Sequence, residues 1–169
     1  SPATSYIYRI KAYDAAGNVS AASNSVQLTT PAAQTPPTCP APATGAFTGC
    51  YYNNTDLSGT PVLTRTDSQI RFDWGTATPA PSITPRNFSV RWQGYFNFEA
   101  AEYTFTSVAS DGIRVYVDGQ LILDRWRDQP AYIYNVRRPL SAGQHLVTVE
   151  YYERTGVADG RMGNEEEPQ

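Results

Sequence analysis

Residues 109–119 read ASDGIRVYVDG, and this stretch decides the fold of the chain. Apolar side chains stand at every second position from Ile113 to Val117. That period of two is typical of a β-strand with one buried face. The run ends at Asp118-Gly119, and an apolar run resumes two residues later. Because Asp and Gly tolerate the positive φ of a tight turn, the stretch predicts a β-hairpin.

The first Asp-Gly pair of this stretch, Asp111-Gly112, opens the same strand from a loop. It leaves the carboxylate of Asp111 at the edge of a sheet, where a hard cation such as calcium finds oxygen ligands. A cation there would in turn indicate a sugar-binding site. The alternative is that Asp111 is only a turn residue. The residues alone leave both interpretations open.

The composition excludes several classes of protein. A net charge of −3 gives no basic field for nucleic acid, and no apolar window is long enough to span a bilayer. Twelve tyrosines with a single methionine and a single histidine are typical of an all-β extracellular module. The chain begins at Ser1-Pro2 without a signal peptide, so we expect it to be a processed piece of a longer exported protein.

Cys39 and Cys50 are the two cysteines of the chain. Their spacing in a Pro-rich and Tyr-rich sequence fits one disulfide bond formed in an oxidising compartment. Closing a loop of this size would stabilise the fold by about 3 kcal/mol in the chain-entropy picture. The alternative is two free thiols, and a metal site would need further ligands.

The sequence divides into four segments. Residues 1–30 form a hairpin, because alternating residues around Tyr6 and around Val26 predict two strands. Residues 31–46 contain five prolines and form a semi-rigid linker. Residues 47–160 are the main domain, and residues 161–169 are a solvated acidic tail.

Short alternating runs recur through the main domain, with turn residues between them. They predict ten strands, around residues 51–52, 62–64, 69–73, 88–92, 95–98, 103–107, 113–117, 121–124, 132–136 and 146–152. Apolar residues nowhere keep a helical spacing over three turns. The pattern predicts an all-β fold, an antiparallel β-sandwich or barrel.

The segment from Thr4 to Asp14, with the turn residues that follow it, resembles the end of a fibronectin type III domain. Tyr6 matches the tyrosine-corner position of that family. The resemblance covers only the last two strands, so five strands of such a domain are missing. Either the chain was cut within this domain, or another copy supplies the missing strands.

The main domain resembles the protective-antigen family, PA-14, over roughly residues 46–157. The motifs follow one another in the family's order: GCYY at 49–52, LSGTP at 57–61, DSQIRFDWG at 67–75, NFSVRWQGYF at 87–96, YTFT at 103–106, SDG at 110–112, DG at 118–119, AGQH at 142–145 and VEYY at 149–152. No single motif would suffice, but their number and order identify the chain as a member of this family.

The resemblance implies a sandwich of antiparallel strands, of the kind inserted in secreted glycosidases, adhesins, toxins and surface proteins. Members in fungal adhesins bind sugars through calcium, which is held by two consecutive aspartates joined by a cis peptide bond. Here the pair reads Ser110-Asp111, so a neutral hydroxyl replaces the first carboxylate. We therefore expect a calcium site at Ser110 and Asp111 that is weaker than in members with both aspartates.

The end of the domain also departs from the family, which finishes on an apolar-alternating strand. Residues 158–164 are polar and rich in glycine. We expect them to form the last strand poorly, to truncate it or to serve a different role.

Candidate sugar contacts follow the hairpin and recur in a late loop. Trp126 stands between two arginines and either stacks on a sugar ring or packs in the fold. Tyr132 and Tyr134 lie at alternate strand positions and form an aromatic platform or ordinary sheet packing. By resemblance, the loop at 153–156 supplies the second wall. The predicted ligand-binding residues are Trp126, Arg125, Asp128, Tyr132, Glu153 and Arg154.

Two hypotheses of function follow. The first is a non-catalytic carbohydrate-binding or adhesion module of a secreted or cell-surface protein, with glycans or polysaccharide as partner and calcium as a helper. The second is a structural repeat of an extracellular fibre or stalk, a filament in which copies of the chain complete one another by strand addition. No catalytic set can be assembled around His145, for which we expect a structural hydrogen bond. Any catalysis would belong to another domain of the parent protein.

Overall fold

The computed structural model describes residues 4–30, 38–156 and 158–166. The chain divides into two compact units, Ser1–Pro36 and Pro37–Gln169. Thirteen strands and no helix are found in the described ranges, and hence no helix there could cross a membrane. The strands are β1 (Ser5–Tyr8), β2 (Val26–Thr29), β3 (Ala43–Thr44), β4 (Phe47–Tyr52), β5 (Leu63–Asp67), β6 (Arg71–Gly75), β7 (Phe88–Phe98), β8 (Ala101–Ala109), β9 (Gly112–Val117), β10 (Gln120–Arg125), β11 (Tyr132–Leu140), β12 (Gly143–Glu153) and β13 (Ala158–Glu166).

The first unit contains one antiparallel pair, β1 with β2. Between them, Oδ1 of Asp14 accepts two backbone N–H groups of a turn, at 3.0 and 2.8 Å. Tyr6 stands opposite Leu28 and Tyr8 opposite Val26. Since directly opposed residues share a face of the sheet, these four side chains form one apolar face, and all four are exposed. The fibronectin resemblance of this unit stays a prediction.

The second unit is a sandwich of two sheets, which confirms the predicted all-β class. The larger sheet has the antiparallel order β10-β9-β12-β7-β4-β5, and β3 joins it by pairing in parallel with β7. The smaller sheet has the antiparallel order β11-β8-β13-β6. Buried residues of both sheets form one strongly aromatic core, whose largest side chains are Trp92, Tyr51, Tyr151, Phe88 and Phe105.

The hairpin predicted from residues 109–119 is confirmed. β9 and β10 pair antiparallel around Asp118 and Gly119, whose φ angles are 51° and 76°. Ile113, Val115 and Val117 face the core, with exposures of 1%, 1% and 2%. The alternation of apolar residues in the sequence therefore predicts the buried face of β9 correctly.

β7 is one continuous strand where the sequence predicts two strands with a break between them. The sequence predicts separate strands at 88–92 and 95–98, whereas the structure has one strand, Phe88–Phe98. Gly94 lies inside it, and a Cβ atom there would overlap the backbone oxygen of Ala46. The glycine permits a close approach of two backbones and does not mark a turn.

β13 corrects the expectation of a poorly formed last strand. It runs over Ala158–Glu166 and lies between β8 and β6, so hydrogen-bonded neighbours hold both of its edges. A Cβ atom added at Gly160 would make ordinary van der Waals contact with the Tyr151 ring, at 3.5 Å. The predicted boundary between domain and acidic tail, at residue 160, falls inside β13.

The predicted disulfide bond between Cys39 and Cys50 is confirmed, with Cα atoms 5.8 Å apart. It joins Cys39, within the predicted linker, to a fully buried position of β4. β3, at Ala43–Thr44, also lies within the predicted linker and pairs with β7. Linker residues 31–37 lie outside the described residues.

Candidate functional site

Asp111 anchors three loops of the second unit. Its side chain is 1% exposed. Its Oδ2 atom accepts the backbone N–H groups of Arg154 and Thr155 at 2.7 and 2.9 Å. Its Oδ1 atom accepts the backbone N–H of Gln129 at 3.2 Å. Because hydrogen bonds to a charged group are the stronger ones, this carboxylate ties its own loop to the loops after β10 and after β12.

The side chain of Gln129 extends this anchor. Its Nε2 donates to the backbone carbonyl of Asp111 at 2.8 Å, and its backbone carbonyl accepts the N–H of Asp111 at 2.8 Å. Its Oε1 then accepts the hydroxyl of Tyr134 at 2.6 Å and Nε of Arg127 at 3.3 Å. Asp111 therefore positions a tyrosine and an arginine through one amide.

Ser110 lies beside the anchor and is bonded to buried groups. Its Oγ accepts the backbone N–H of Asp159 at 3.0 Å and donates to Oε2 of Glu153 at 3.1 Å. The hydroxyl of Tyr151 donates to the same Oε2 at 2.9 Å. Glu153 is 1% exposed, and this burial raises the pKa of its carboxyl above the ordinary value. The predicted ligand residue Glu153 is therefore buried beneath the surface, where it accepts hydrogen bonds from Ser110 and Tyr151 and does not face solvent.

The predicted calcium site uses Ser110 and Asp111. In the structure, N–H groups point at both carboxylate oxygens of Asp111, and the Ser110 hydroxyl is already shared by protein groups. Among the described residues, no group of three or more His, Cys, Asp or Glu side chains is placed to hold a metal ion. Calcium takes roughly six to eight oxygen ligands, so this arrangement does not fit it. Calcium binding stays a prediction from the resemblance.

A hollow of about 440 Å³ opens at the loop after β10, and we name it the Arg-Tyr hollow. The rings of Tyr132 and Tyr134 lie 5.0 Å apart, because residues two apart on a strand share a face. The guanidinium carbon of Arg125 lies 5.2 Å from the centre of the Tyr134 ring. The predicted residues Arg125 and Tyr132 are therefore brought together. The hollow is lined by Arg125, Arg127, Gln129, Pro130, Tyr132 and Tyr134.

The Arg-Tyr hollow is positively charged. Arg125 donates to a backbone carbonyl at 2.6 Å, and Arg127 donates to an amide oxygen at 3.3 Å. Within the described ranges neither guanidinium forms an ion pair with a carboxylate, and no acidic residue lines the hollow. The nearby carboxylates of Asp124 and Asp128 are paired with other arginines, at 3.7 and 3.2 Å.

Trp126, Asp128 and Arg154 form a second cluster, around Tyr152. The Tyr152 hydroxyl donates to Oδ1 of Asp128 at 2.6 Å, and Arg154 pairs with Oδ2 of Asp128 at 3.2 Å. The half-buried Trp126 ring meets Tyr152 edge-on at 4.8 Å, with the Arg114 guanidinium carbon 4.1 Å from its centre. Three predicted ligand residues are thus in one place, with Trp126 packed between protein groups and the ion pair half exposed.

Four lining residues of the Arg-Tyr hollow lie outside the predicted ligand-binding set, namely Arg127, Gln129, Pro130 and Tyr134. The alternation that places Tyr134 beside Tyr132 is a usable signal in the sequence. The role of Gln129 has no such signal, because it depends on a contact with Asp111, which is 18 residues away along the chain.

Comparisons with known proteins agree with this architecture. A family model described as the PA14 domain matches residues 42–163. Over 116 residues the chain is 40% identical to the anti-sigma-I factor RsgI3 of Acetivibrio thermocellus, which covers 68% of this chain and 18% of that protein. The chain therefore spans less than a fifth of the length of this curated relative.

Two solved structures illustrate the range of similarity. An anti-sigma factor domain-containing protein superposes with a TM-score of 0.68 at 37% identity, covering 73% of this chain and 43% of that one. A PA14 sugar-binding domain from an RTX adhesin superposes with a TM-score of 0.61 at 18% identity, covering 73% of this chain and 90% of that one. At the lower identity, the likeness concerns the fold.

Proposed function

The chain belongs to the PA14 domain family, as its motifs predict, and we propose that its second unit is a non-catalytic carbohydrate-binding module. The observation that carries the proposal is the Arg-Tyr hollow, set on loops that Asp111 holds in place. Its volume of about 440 Å³ lies within the roughly 300–1,000 Å³ of small-ligand sites. The adhesin domain that shares the fold is described as sugar-binding, which supports the same reading here.

The lining of the Arg-Tyr hollow suits a sugar ring. Tyr132 and Tyr134 offer aromatic faces against which the apolar side of a sugar ring packs. Arg125 and Arg127 offer several N–H donors to ring and hydroxyl oxygens. Because Gln129 already positions Tyr134 and Arg127, little side-chain ordering is needed on binding, and preorganised groups bind more tightly.

We place this module in a longer secreted or cell-surface protein. The Cys39–Cys50 disulfide fits an oxidising compartment. The curated relative is much longer than this chain, which is consistent with a module that works beside other domains. Adhesion to glycan surfaces is the role that we propose for it.

A glycan array followed by calorimetric titration tests the proposal. We expect Tyr132→Ala to weaken glycan binding about tenfold or more, since the aromatic face that packs on the sugar ring is lost. The matched control is Ile133→Ala: Ile133 is 60% exposed and Tyr132 is 62% exposed, but the two side chains lie on opposite faces of β11. Titrations with calcium and with a chelator test the predicted helper ion in the same series. A folded protein that binds no glycan in either condition contradicts the proposal.

The apolar face of the first unit supports a second candidate function, assembly into a fibre or stalk. Tyr6, Tyr8, Val26 and Leu28 lie together on one face of a two-stranded sheet, and two strands alone are marginal in water. Strand addition from a second copy would extend this sheet at an edge, and the joined copies could then pack their apolar faces together. Sedimentation velocity over a range of concentrations tests it. A monomer at every concentration contradicts assembly and leaves sugar binding untouched.

A further inference from the structure

We propose that the Arg-Tyr hollow selects sugars that carry a carboxylate, the uronic acids, over their neutral counterparts. This inference rests on the proposed carbohydrate binding and names its substrate class. It follows from the charge of the hollow, from the shape of its cations and from the way in which they are held.

The charge of the hollow is the first argument. Two guanidinium groups and no carboxylate line it, although the chain as a whole has a net charge of −3. The acidic residues next to the hollow do not neutralise it, since Asp124 pairs with Arg114 and Asp128 pairs with Arg154. A neutral sugar would leave both guanidinium groups without a counter-charge, whereas the carboxylate of an acidic sugar would form an ion pair with them.

The type of cation is the second argument. The planar guanidinium fork matches the two oxygens of a carboxylate, which it can bind through two parallel hydrogen bonds. Arg125 uses one nitrogen on a backbone carbonyl, and Arg127 uses Nε on an amide oxygen, so both retain free N–H donors. The chain contains one lysine among thirteen basic residues, and none of the lining residues is a lysine.

The geometry is the third argument. Gln129 fixes the Tyr134 hydroxyl and Nε of Arg127 on one amide oxygen, and Arg125 lies over the Tyr134 ring. A sugar ring packed on the tyrosines would therefore have arginine donors at its edge, which is where the carboxyl group of a uronic acid lies. The hollow can hold the ring and the charge at once.

Matched pairs of oligosaccharides test this inference. Calorimetric titration compares an oligogalacturonate with the corresponding galactan, and a glucuronan with the corresponding glucan. We expect the acidic member of a pair to bind about tenfold more tightly, which is what one or two charge-assisted hydrogen bonds supply. Because the attraction is ionic, the preference should shrink as salt is added.

Charge variants show whether the hollow is responsible. Arg127→Gln should weaken binding of the acidic sugar severalfold more than binding of its neutral counterpart, and so reduce the acidic-to-neutral preference. The control, Arg71→Gln, removes the same charge from an exposed position on β6, three strands away from β11 in its sheet, and should leave the preference intact. Far-ultraviolet circular dichroism and thermal unfolding confirm that both variants are folded.

The outcomes separate the inference from the proposed function. Equal or tighter binding of the neutral member overturns the inference but leaves carbohydrate binding standing. A sulfated galactan that binds as tightly as the oligogalacturonate overturns it as well. The hollow would then recognise negative charge in general and not the carboxylate. Failure of every sugar to bind overturns the proposed function itself.

Discussion

Nδ1 of His145 lies 2.6 Å from Oδ2 of Asp118 and joins the start of β12 to the tight turn between β9 and β10. Nε2 of the same ring lies 3.0 Å from the backbone carbonyl of Ser141. Two acceptors favour the protonated ring, so the hydrogen bond with Asp118, together with that to Ser141, raises the pKa of His145 above its ordinary value. Burial acts to raise the pKa of Asp118, but hydrogen bonds from His145 and from Leu146 lower it overall.

This pair predicts how stability depends on pH. The folded protein binds the His145 proton more tightly than the unfolded chain does. The contribution is therefore fully present below about pH 6.5, the ordinary pKa of histidine, and is lost as pH rises through the raised folded-state pKa. We expect urea unfolding to show a falling free energy of unfolding over that range, and a flatter profile for Asp118→Asn. The lowered pKa of Asp118 has the opposite sign and acts only in acid, near 3.8, the ordinary pKa of an aspartate, and below. Equal slopes in the two proteins would show that the hydrogen bond with Asp118 does not raise the pKa of His145.

A buried carboxylate at the end of β5 predicts a large loss of stability on truncation. Oδ2 of Asp67 accepts the hydroxyl of Tyr51 at 2.6 Å and Nε1 of Trp92 at 2.8 Å, while Oδ1 pairs with Arg65 at 2.7 Å. Asp67→Ala leaves two buried donors unpaired, and we expect it to lower the free energy of unfolding by about 3 kcal/mol. A double-mutant cycle with Tyr51→Phe measures the share of one bond. Additive losses in that cycle would show that the bond to Tyr51 contributes nothing.

The loop anchor predicts a local effect. Asp111→Ala removes the acceptor of three backbone N–H groups, so we expect much faster hydrogen exchange at Gln129, Arg154 and Thr155. Glycan binding should fall with it. Asp73→Ala is the control, because Asp73 is an exposed carboxylate whose side chain is 60% accessible and which pairs only with Arg161 in the described residues. Unchanged exchange at all three amides in the Asp111 variant would contradict its role as an anchor.

Close packing around Gly112 predicts that this position accepts no side chain. A Cβ atom there would overlap the ring of Tyr152, and this ring is held by Asp128. Gly112→Ala should therefore destabilise the protein by about 1–3 kcal/mol. Gly163→Ala is the matched control, since a Cβ on Gly163 meets nothing within 4 Å. Chemical denaturation compares the two, and equal stability of both variants would refute the argument.

Local patterns in the sequence predict the elements whose side chains alternate. Ile113, Val115 and Val117 gave the buried face of β9, and the Asp118-Gly119 turn gave its partner strand. The same reasoning fails where a residue responds to a distant neighbour. From the sequence, Gly94 predicts a break between two strands, but in the structure it makes room for the backbone of Ala46. The Gly-rich last strand reads as irregular but is held on both edges by β8 and β6.

The candidate site shows the same division. Arg125 and Tyr132 could be selected from residue type, because exposed aromatic and guanidinium groups are common ligand contacts. The burial of Glu153 and the commitment of both Asp111 oxygens to backbone N–H groups could not, since they arise from loops that meet only in the folded chain. The disulfide is an intermediate case, in which two cysteines leave one pairing within the chain.

The carboxylate of Asp111 accepts hydrogen bonds from the main chain, and every amino acid except proline offers the same N–H group. Exchange of the side chains at 154 or 155 therefore leaves these hydrogen bonds intact. The exposed side chains of such a loop can therefore be exchanged one at a time while its backbone stays in place. Such a separation makes the domain a natural starting point for retargeting to new glycans, by evolution or in the laboratory.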